Sequence, residues 1–153
     1  MKRVVLLAIL AVSGFAAHRH YTQSYAPITL YKQFAEEILK RHYDAAAAMT
    51  DGLTQADLEK AGTQEKIGAG PAMFQTLFPS RFDMESQSAE PDGSVTLNAM
   101  QTVLFNPPGV ESAMRAAMYA KMHQKVTMHQ SGGAWKITSF ENKFDSMDAV
   151  PKR

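Results

Sequence analysis

Two histidines near the end of the chain, His123 and His129, are of the residue type that most often binds a metal ion. They lie six residues apart in a segment of alternating apolar and polar residues, and on a straight strand rising about 3.3 Å per residue they would be too distant to share an ion. Their neighbours on that face are Arg115, Lys121 and Lys125, which repel cations. Because zinc sites need several converging ligands, the sequence predicts no metal site here and histidines that face solvent or an interface.

Ten methionines in a chain without cysteine raise a second possibility, since soft thioether ligands suit copper(I). Met114, Met118, Met122 and Met128 occupy even positions of the same alternating segment. A strand places all four in a row on one face, and adaptable methionine side chains fill protein cores well. The spacing therefore predicts core packing for this row and no copper site.

His42, Tyr43 and Asp44 form the nearest set for acid–base chemistry. Consecutive residues of a helix point in different directions, so these three cannot all face one pocket. The even positions of the alternating segment offer no Asp or Glu within reach of a substrate proton. No Ser-His-Asp arrangement, phosphate loop or dinucleotide fingerprint is visible in the sequence. We therefore predict no catalytic residue and no cofactor.

The element that carries most of these residues is the alternating segment from Ala113 to Gln130. Its Ala, Met and Lys residues are good helix formers, so a helix is the rival prediction. A helix would scatter Ala116, Ala120 and the later apolar residues around its cylinder, whereas a period of two puts them on one face. The segment is therefore predicted to be a strand, joined through Ser131-Gly132-Gly133 to a last strand from Ala134 to about Phe144.

Three helices are predicted ahead of the strands. The first is amphipathic, opens at Pro27 and ends by Gly52. Its acidic residues stand four positions before basic ones, which predicts ion pairs on a solvated face. The pairs are Glu36 with Lys40 and Glu37 with Arg41.

Shorter elements follow this helix. Thr54 and Asp57 resemble a capping box, and Gly62 closes the helix that they begin. A third helix is predicted from Pro71 to just before Pro79, and strands are predicted over residues 82–89 and 95–105.

The composition is that of one ordinary globular domain. The chain has 153 residues, of which 45% are hydrophobic and 20% charged. Lys plus Arg number 16 against 15 for Asp plus Glu, which provides no basic stripe for nucleic acid. The absence of cysteine excludes disulfides, thiolate metal sites and catalytic thiols. Nucleic acid is therefore not an expected partner.

The first residues have the layout of a secretory signal. A basic start, Met1-Lys2-Arg3, precedes an apolar run over residues 4–17 that His18 ends. This run is shorter than the roughly 20 residues that a spanning helix needs, which favours cleavage over anchoring. The expected location is the periplasm, and the alternative is an inner-membrane anchor with the domain in the periplasm.

Helices followed by a four-stranded antiparallel meander that closes on Gly132-Gly133-Ala134-Trp135-Lys136-Ile137 resemble the nuclear transport factor two-like superfamily, also called SnoaL-like or cystatin-like cone proteins. The resemblance implies an α+β fold with N-terminal helices packed on a strongly curved four-stranded antiparallel sheet, a pocket at its wide end and homodimers formed through the outer sheet face. The domain plan is a signal peptide or membrane anchor over 1–17, a connector over 18–27, a cone-type domain over 28–144 and a polar tail over 145–153.

The apolar face of the long strand must be covered, and the first helix carries the apolar face that is long enough to cover it. The resemblance implies that a pocket lies within the cone that these elements form. Its candidate lining residues are Tyr31, Phe34, Ile38, Met118, Met122 and Trp135.

The expected function is that of an exported, non-enzymatic domain of the periplasm or cell envelope, which binds a small hydrophobic ligand or an envelope protein. One alternative is a small SnoaL-like isomerase or hydrolase acting on a hydrophobic substrate. Another, which applies if the leader stays in the membrane, is an anchored scaffold subunit of a secretion-type complex.

Overall fold

The computed structural model of the protein describes residues 25–62, 75–106 and 117–150 and has an α+β fold. Three helices precede four strands, which form one antiparallel sheet in the order β1-β2-β3-β4. This confirms the predicted α+β class and the predicted four-stranded antiparallel meander. The elements are α1 Ala26–Lys40, α2 Tyr43–Ala48, α3 Gln55–Gly62, β1 Gln75–Ala89, β2 Val95–Asn106, β3 Met118–Ser131 and β4 Ala134–Ala149.

The predicted leader over 1–17 lies outside the described residues, as does most of the connector after it. Within the ranges that are described, no helix combines the length and the apolar character needed to cross a membrane.

The first helical stretch is two helices, so the prediction of one helix reaching Gly52 was wrong. Pro27 lies in the first turn of α1 as expected, but α1 ends at Lys40, and the next residue, Arg41, has a left-handed φ of 65°. The N–H groups of Arg41 and His42 donate to the carbonyls of Ile38 and Glu37 at 3.0 and 2.9 Å. This closing pattern usually has glycine at the left-handed position, and a non-glycine residue gave no stop signal in the sequence.

The capping box of α3 is confirmed. The backbone N–H of Thr54 donates to Asp57 Oδ2 at 2.9 Å, and the N–H of Asp57 donates to Thr54 Oγ1 at 3.2 Å. Because these bonds satisfy N–H groups that have no partner within the helix, α3 begins where the sequence predicted. Leu58 is its buried residue, and Gly62 ends it.

Two strand boundaries differ from the predictions. Residues 75–78, assigned to a third helix, belong to β1 and pair with β2 from Gln75 opposite Asn106 onward. A short apolar run does not distinguish a helix from a strand by its period, which explains the error. β4 continues past Phe144, with Asp148 opposite Tyr119, so the first residues of the predicted polar tail are strand.

β3 has the alternation that the sequence predicted. Its even-numbered residues from Ala120 to Met128 are buried, while the odd-numbered residues between them are more exposed. The described part of the segment begins at Ala117, which leaves Met114 outside, and the strand is confirmed from Met118 onward. Gly132 and Gly133 have φ values of 59° and 84° between the paired residues Ser131 and Ala134, as in the two-residue hairpin turn that favours glycine.

Along β4, the residues that face the sheet interior switch twice between odd and even numbers. It carries one extra residue between Ile137 and Ser139 and another between Phe144 and Ser146, relative to a β3 that has none. A strand bulge shifts the following side chains to the opposite face. The residues that pair with the buried side of β3 are therefore odd-numbered, then even-numbered, then odd-numbered: Trp135, Ile137, Phe140, Asn142, Phe144 and Met147.

The core lies between the helices and the inner face of the sheet. Tyr31 and Phe34 of α1 are fully buried, and the Phe34 ring meets the Phe140 ring edge-on at a centroid distance of 4.9 Å. The odd-numbered residues of β2 from Val95 to Val103 are also buried, including Leu97 and Ala99. A helix layer on one sheet face is what the apolar patterns of both elements require.

Candidate functional site

Polar side chains cross the inner face of the sheet, one from each strand. We call Ser80, Gln101, Gln124 and Asn142 the polar row. Gln101 and Gln124 are each 1% exposed, Ser80 is buried and Asn142 is half-buried. Such buried groups destabilise a fold unless they are hydrogen-bonded. Among the described residues, every buried side-chain nitrogen and oxygen has a partner.

The hydrogen bonds of the polar row run in a continuous chain. Gln124 Nε2 donates to Gln101 Oε1 at 2.9 Å and to Asn142 Oδ1 at 3.1 Å. Gln101 Nε2 donates in turn to Ser80 Oγ at 3.0 Å, and Asn142 Nδ2 donates to the carbonyl of Ala61 in α3 at 3.3 Å. From Gln124 to Ser80 each donor points the same way, so the bonds polarise one another.

Helix α1 is joined to the polar row through Tyr31. Its hydroxyl donates to Gln124 Oε1 at 2.6 Å, and its ring meets Phe82 edge-on at 5.6 Å. Burial, with a smaller contribution from the charge of Glu85, raises the pKa of Tyr31 well above its ordinary value. The phenol therefore remains a neutral donor throughout the neutral pH range.

Glu36 is the second contact between α1 and the polar row. Its Oε1 accepts hydrogen bonds from the Ser80 hydroxyl and, at 2.8 Å, from the Ser80 backbone N–H. The predicted pairs of Glu36 with Lys40 and of Glu37 with Arg41 are therefore both wrong, because Lys40 pairs with Glu37 at 3.0 Å. Glu37 also pairs with His42 at 2.8 Å. The hydrogen bond from His42 and then that from Lys40 hold the pKa of Glu37 below its usual range.

A groove of about 920 Å³ lies between α1 and β1. One side is formed by α1 residues separated by one or two helical turns, and the other by β1, with charged groups beside apolar surface. The residues around it are Lys32, Gln33, Glu36, Glu37, Lys40, Met49, Ser80 and Phe82. Six of these eight residues are polar or charged, and Met49 and Phe82 supply the apolar side chains. Small-molecule sites combine apolar surface with placed polar groups, and this groove offers both.

The predicted pocket residues lie in two places. Tyr31, Phe34 and Ile38 belong to the buried core cluster, and Trp135 packs against it. Trp135 also lines a smaller groove of about 310 Å³. Met118 and Met122 lie outside that cluster near the start of β3, half-buried and buried respectively.

The histidines on β3 each meet a carboxylate. His123 Nε2 lies 2.7 Å from Glu85 Oε2, and His129 Nε2 lies 3.2 Å from Asp51 Oδ2. Within the described ranges, no group of three or more His, Asp or Glu residues converges as a metal site would require. Each of these histidines on the odd-numbered face of β3 therefore contacts a different surface carboxylate.

The candidate acid–base residues lie in different surroundings, although the reason predicted for this was wrong, because His42 precedes the helix that holds Tyr43 and Asp44. His42 and Asp44 are exposed, whereas Tyr43 is buried. His42 precedes α2 and contacts Glu37, so it serves the junction of the first two helices. The structure therefore does not bring this set together.

The polar row was missed in the sequence, although two of its members left a signal. Gln101 interrupts the apolar odd-numbered face of β2, and Gln124 interrupts the methionine face of β3. A glutamine at an inward position on neighbouring strands indicates a buried amide pair. Ser80 and Asn142 gave no such signal because bulges precede or follow them in β1 and β4.

Comparison of the sequence with models of known protein families and with curated proteins finds no match.

Proposed function

We propose that this protein is a non-enzymatic binding domain that holds a small ligand in the groove between α1 and β1. The observation that carries the proposal is the groove itself, which sets the apolar ring of Phe82 beside charged groups of α1 such as Lys32 and Glu36. Apolar surface supplies affinity and a few placed polar groups supply orientation in sites of this kind.

The chemistry of the interior supports binding over catalysis. Apart from Tyr31, the groups that meet at Gln124 are the neutral amides of Gln101 and Asn142. Amides neither take up nor release a proton at neutral pH, and the pKa of Tyr31 is raised away from that range. The interior is therefore suited to positioning α1 rather than to moving protons.

The cone shape and export of the domain are parts of the proposal. Extra residues interrupt the pairing of β1 with β2 and of β4 with β3, and such bulges bend strands and increase their twist. This supports a strongly curved sheet. The basic and apolar run over residues 1–17 supports export to the periplasm, or anchoring there if it is not cleaved.

A homodimer through the outer sheet face is also part of the proposal. Outward-facing Leu104 lies opposite Tyr119, both half-buried, beside the ion pair between Lys121 and Asp148. This apolar pair lies near one end of β2 and β3 with the charged pair beside it, and protein interfaces combine apolar and charged residues in this way. Sedimentation of the wild-type protein and of Tyr119→Arg tests it, and a monomeric wild type would contradict it.

The groove is tested by native mass spectrometry of the full-length protein purified from its own cell envelope. We expect a bound small molecule on the wild type and its loss from Gln33→Trp, because the indole would fill the groove at an exposed lining position. Ser139→Trp, exposed on β4, is the matched control and should keep the ligand. A wild type without ligand, or equal retention by Gln33→Trp, would refute the proposal.

One contact favours a second candidate function, a small isomerase or hydrolase. The Ser80 hydroxyl donates to the Glu36 carboxylate at the edge of the groove, which is the pairing of a nucleophile with a base. Hydrolysis of aryl esters that Ser80→Ala abolishes would support this candidate, and the absence of such hydrolysis in the wild type would remove it.

A further inference from the structure

We infer that the groove binds a zwitterion, a molecule with a primary ammonium group near an anionic group. Glu36 binds the ammonium and Lys32 binds the anion. This inference rests on the proposed binding function and names the ligand class of the same groove.

Glu36 is held ready to accept a hydrogen bond. Both donors from Ser80 go to its Oε1, while its Oε2 has no hydrogen-bond or ion-pair partner in the described part of the chain. Ser80 is fixed in turn by Gln101, so the carboxylate is the end of the polarised chain of hydrogen bonds. A carboxylate oriented in this way gives a ligand ammonium a charge-assisted bond without first being immobilised.

Lys32 supplies the complementary charge one helical turn before Glu36. It is exposed, lines the same groove and has no ion-pair partner among the described residues. Its ammonium is not within 4.0 Å of the Glu36 carboxylate, so the two charges do not neutralise each other directly. The other opposite charges at the groove, Lys40 and Glu37, are already paired with each other.

Among the groove residues that the structure describes, one cation and one anion are thus left for a ligand. A ligand with a single charge would leave the other side chain unmatched, whereas a zwitterion engages both. Side chains at positions i and i+4 have Cβ atoms about 5–6 Å apart. This spacing suits an ammonium and an anion separated by a short alkyl linker, and Phe82 provides adjacent apolar surface. The same chemistry occurs in a free aminoalkyl phosphate and in a lipid headgroup.

The test is calorimetric titration of the full-length protein with phosphoethanolamine, with ethanolamine and inorganic phosphate as single-charge probes. We expect the wild type to bind one phosphoethanolamine and to bind each single-charge probe at least about tenfold more weakly. Glu36→Gln and Lys32→Gln should each bind phosphoethanolamine at least about tenfold more weakly than the wild type does. Glu36→Gln keeps an oxygen that can accept both Ser80 donors, and Lys32 is exposed, so both variants should fold.

The exposed pair Glu141 and Lys143 on β4 provides matched controls. Glu141→Gln and Lys143→Gln should bind phosphoethanolamine as the wild type does. Absence of phosphoethanolamine binding, or binding that neither groove substitution weakens, would overturn the inference.

A second arm identifies the source of the zwitterion. Tighter binding of a water-soluble, short-chain phosphatidylethanolamine than of phosphoethanolamine assigns the site to a lipid headgroup, and equal affinity assigns it to a free zwitterion. Different results would contradict the proposed binding function and the proposed ligand class. A native ligand that is lost from Gln33→Trp, without any binding of phosphoethanolamine, would keep the binding domain and reject this ligand class.

Discussion

Replacing Gln124 with methionine tests how strongly the polar row stabilises the fold. Gln124 is 1% exposed, and its side chain joins Tyr31, Gln101 and Asn142 through three hydrogen bonds of 2.6, 2.9 and 3.1 Å. Methionine is close in volume to glutamine and already occurs at inward positions of the same strand. The substitution therefore removes the hydrogen bonds while nearly conserving the packing.

The expected loss follows from the partners left behind. The Tyr31 hydroxyl loses an acceptor, and Gln101 Oε1 and Asn142 Oδ1 each lose a donor. Each lost hydrogen bond lowers the free energy of unfolding by about 1–3 kcal/mol. Burying a methionine side chain returns about 1.5–3 kcal/mol. We expect Gln124→Met to lower the free energy of unfolding by about 3–4 kcal/mol, which is a large fraction of the roughly 5–15 kcal/mol that stabilises a typical domain.

Urea unfolding followed by circular dichroism measures this loss. At a slope of about 2 kcal/mol per molar urea, the midpoint should fall by about 1.5–2 M. In a double-mutant cycle, the coupling energy between Gln124→Met and Tyr31→Phe should be about 1–2 kcal/mol. The reason is that Tyr31→Phe removes the hydroxyl that Gln124→Met leaves without an acceptor. Lys125→Met, exposed on the opposite face of β3, should change stability by less than about 0.5 kcal/mol. A loss below about 1 kcal/mol for Gln124→Met, without coupling to Tyr31, would refute the reasoning.

Three further predictions concern single positions. Because burial raises the pKa of Tyr31, the neutral phenol contributes its full stability well below pH 10, the ordinary tyrosine pKa. Above pH 10 the free energy of unfolding should fall by about 1.4 kcal/mol per pH unit. Urea unfolding at pH 8 to 11 should show this fall in the wild type and a smaller fall in Tyr31→Phe. The Thr54 hydroxyl and then its N–H hold the pKa of Asp57 below its usual value, so thermal unfolding should show Thr54→Ala less stable at pH 7, with the gap closing as the pH falls below about 4. At the β3–β4 turn, Gly133→Ala should lower the free energy of unfolding by about 1 kcal/mol or more, because alanine disfavours a positive φ. Gly132→Asn should be tolerated, since asparagine adopts a φ near 60°. Equal effects of the two substitutions on urea unfolding would contradict the turn assignment.

The parts of the fold that the sequence predicted are those governed by short-range patterns. The alternation around Met122 and Val126 identified a strand buried on one side, and the two glycines at 132 and 133 identified its hairpin. The capping pair of Thr54 and Asp57 located the start of α3 to the residue. In each case the deciding interactions lie within a few residues of one another, so their spacing carries the information.

The errors came from positions where tertiary structure decides the local conformation. Arg41 adopts a left-handed φ that would normally call for glycine, so the break between α1 and α2 has no sequence signal. The bulges beside Thr138 and Asp145 in β4 depend on pairing with β3 and shift every later side chain to the other face. An apolar period counted along β4 therefore could not have assigned Asn142 to the interior.

The groove depends both on a short-range pattern within α1 and on a tertiary contact with β1. Glu36 was visible on a charged helix face, and its expected partner, Lys40, lay on the same helix. The actual partner of Glu36 is Ser80, which is 44 positions away in sequence and follows the irregular pairing of β1 between Leu77 and Arg81. No local spacing rule connects residues at that separation.

The polar row and the groove are parts of one arrangement. Through Phe34 and Phe140, α1 packs on β4, at the far edge of the sheet from β1. An apolar contact alone would let the helix slide or rotate, because such packing is weakly directional. Tyr31 fixes the helix to β3 through Gln124, and Glu36 fixes it to β1 through Ser80. These directional bonds hold α1 at one position over the sheet, which sets the width of the groove and the orientation of the Glu36 carboxylate inside it.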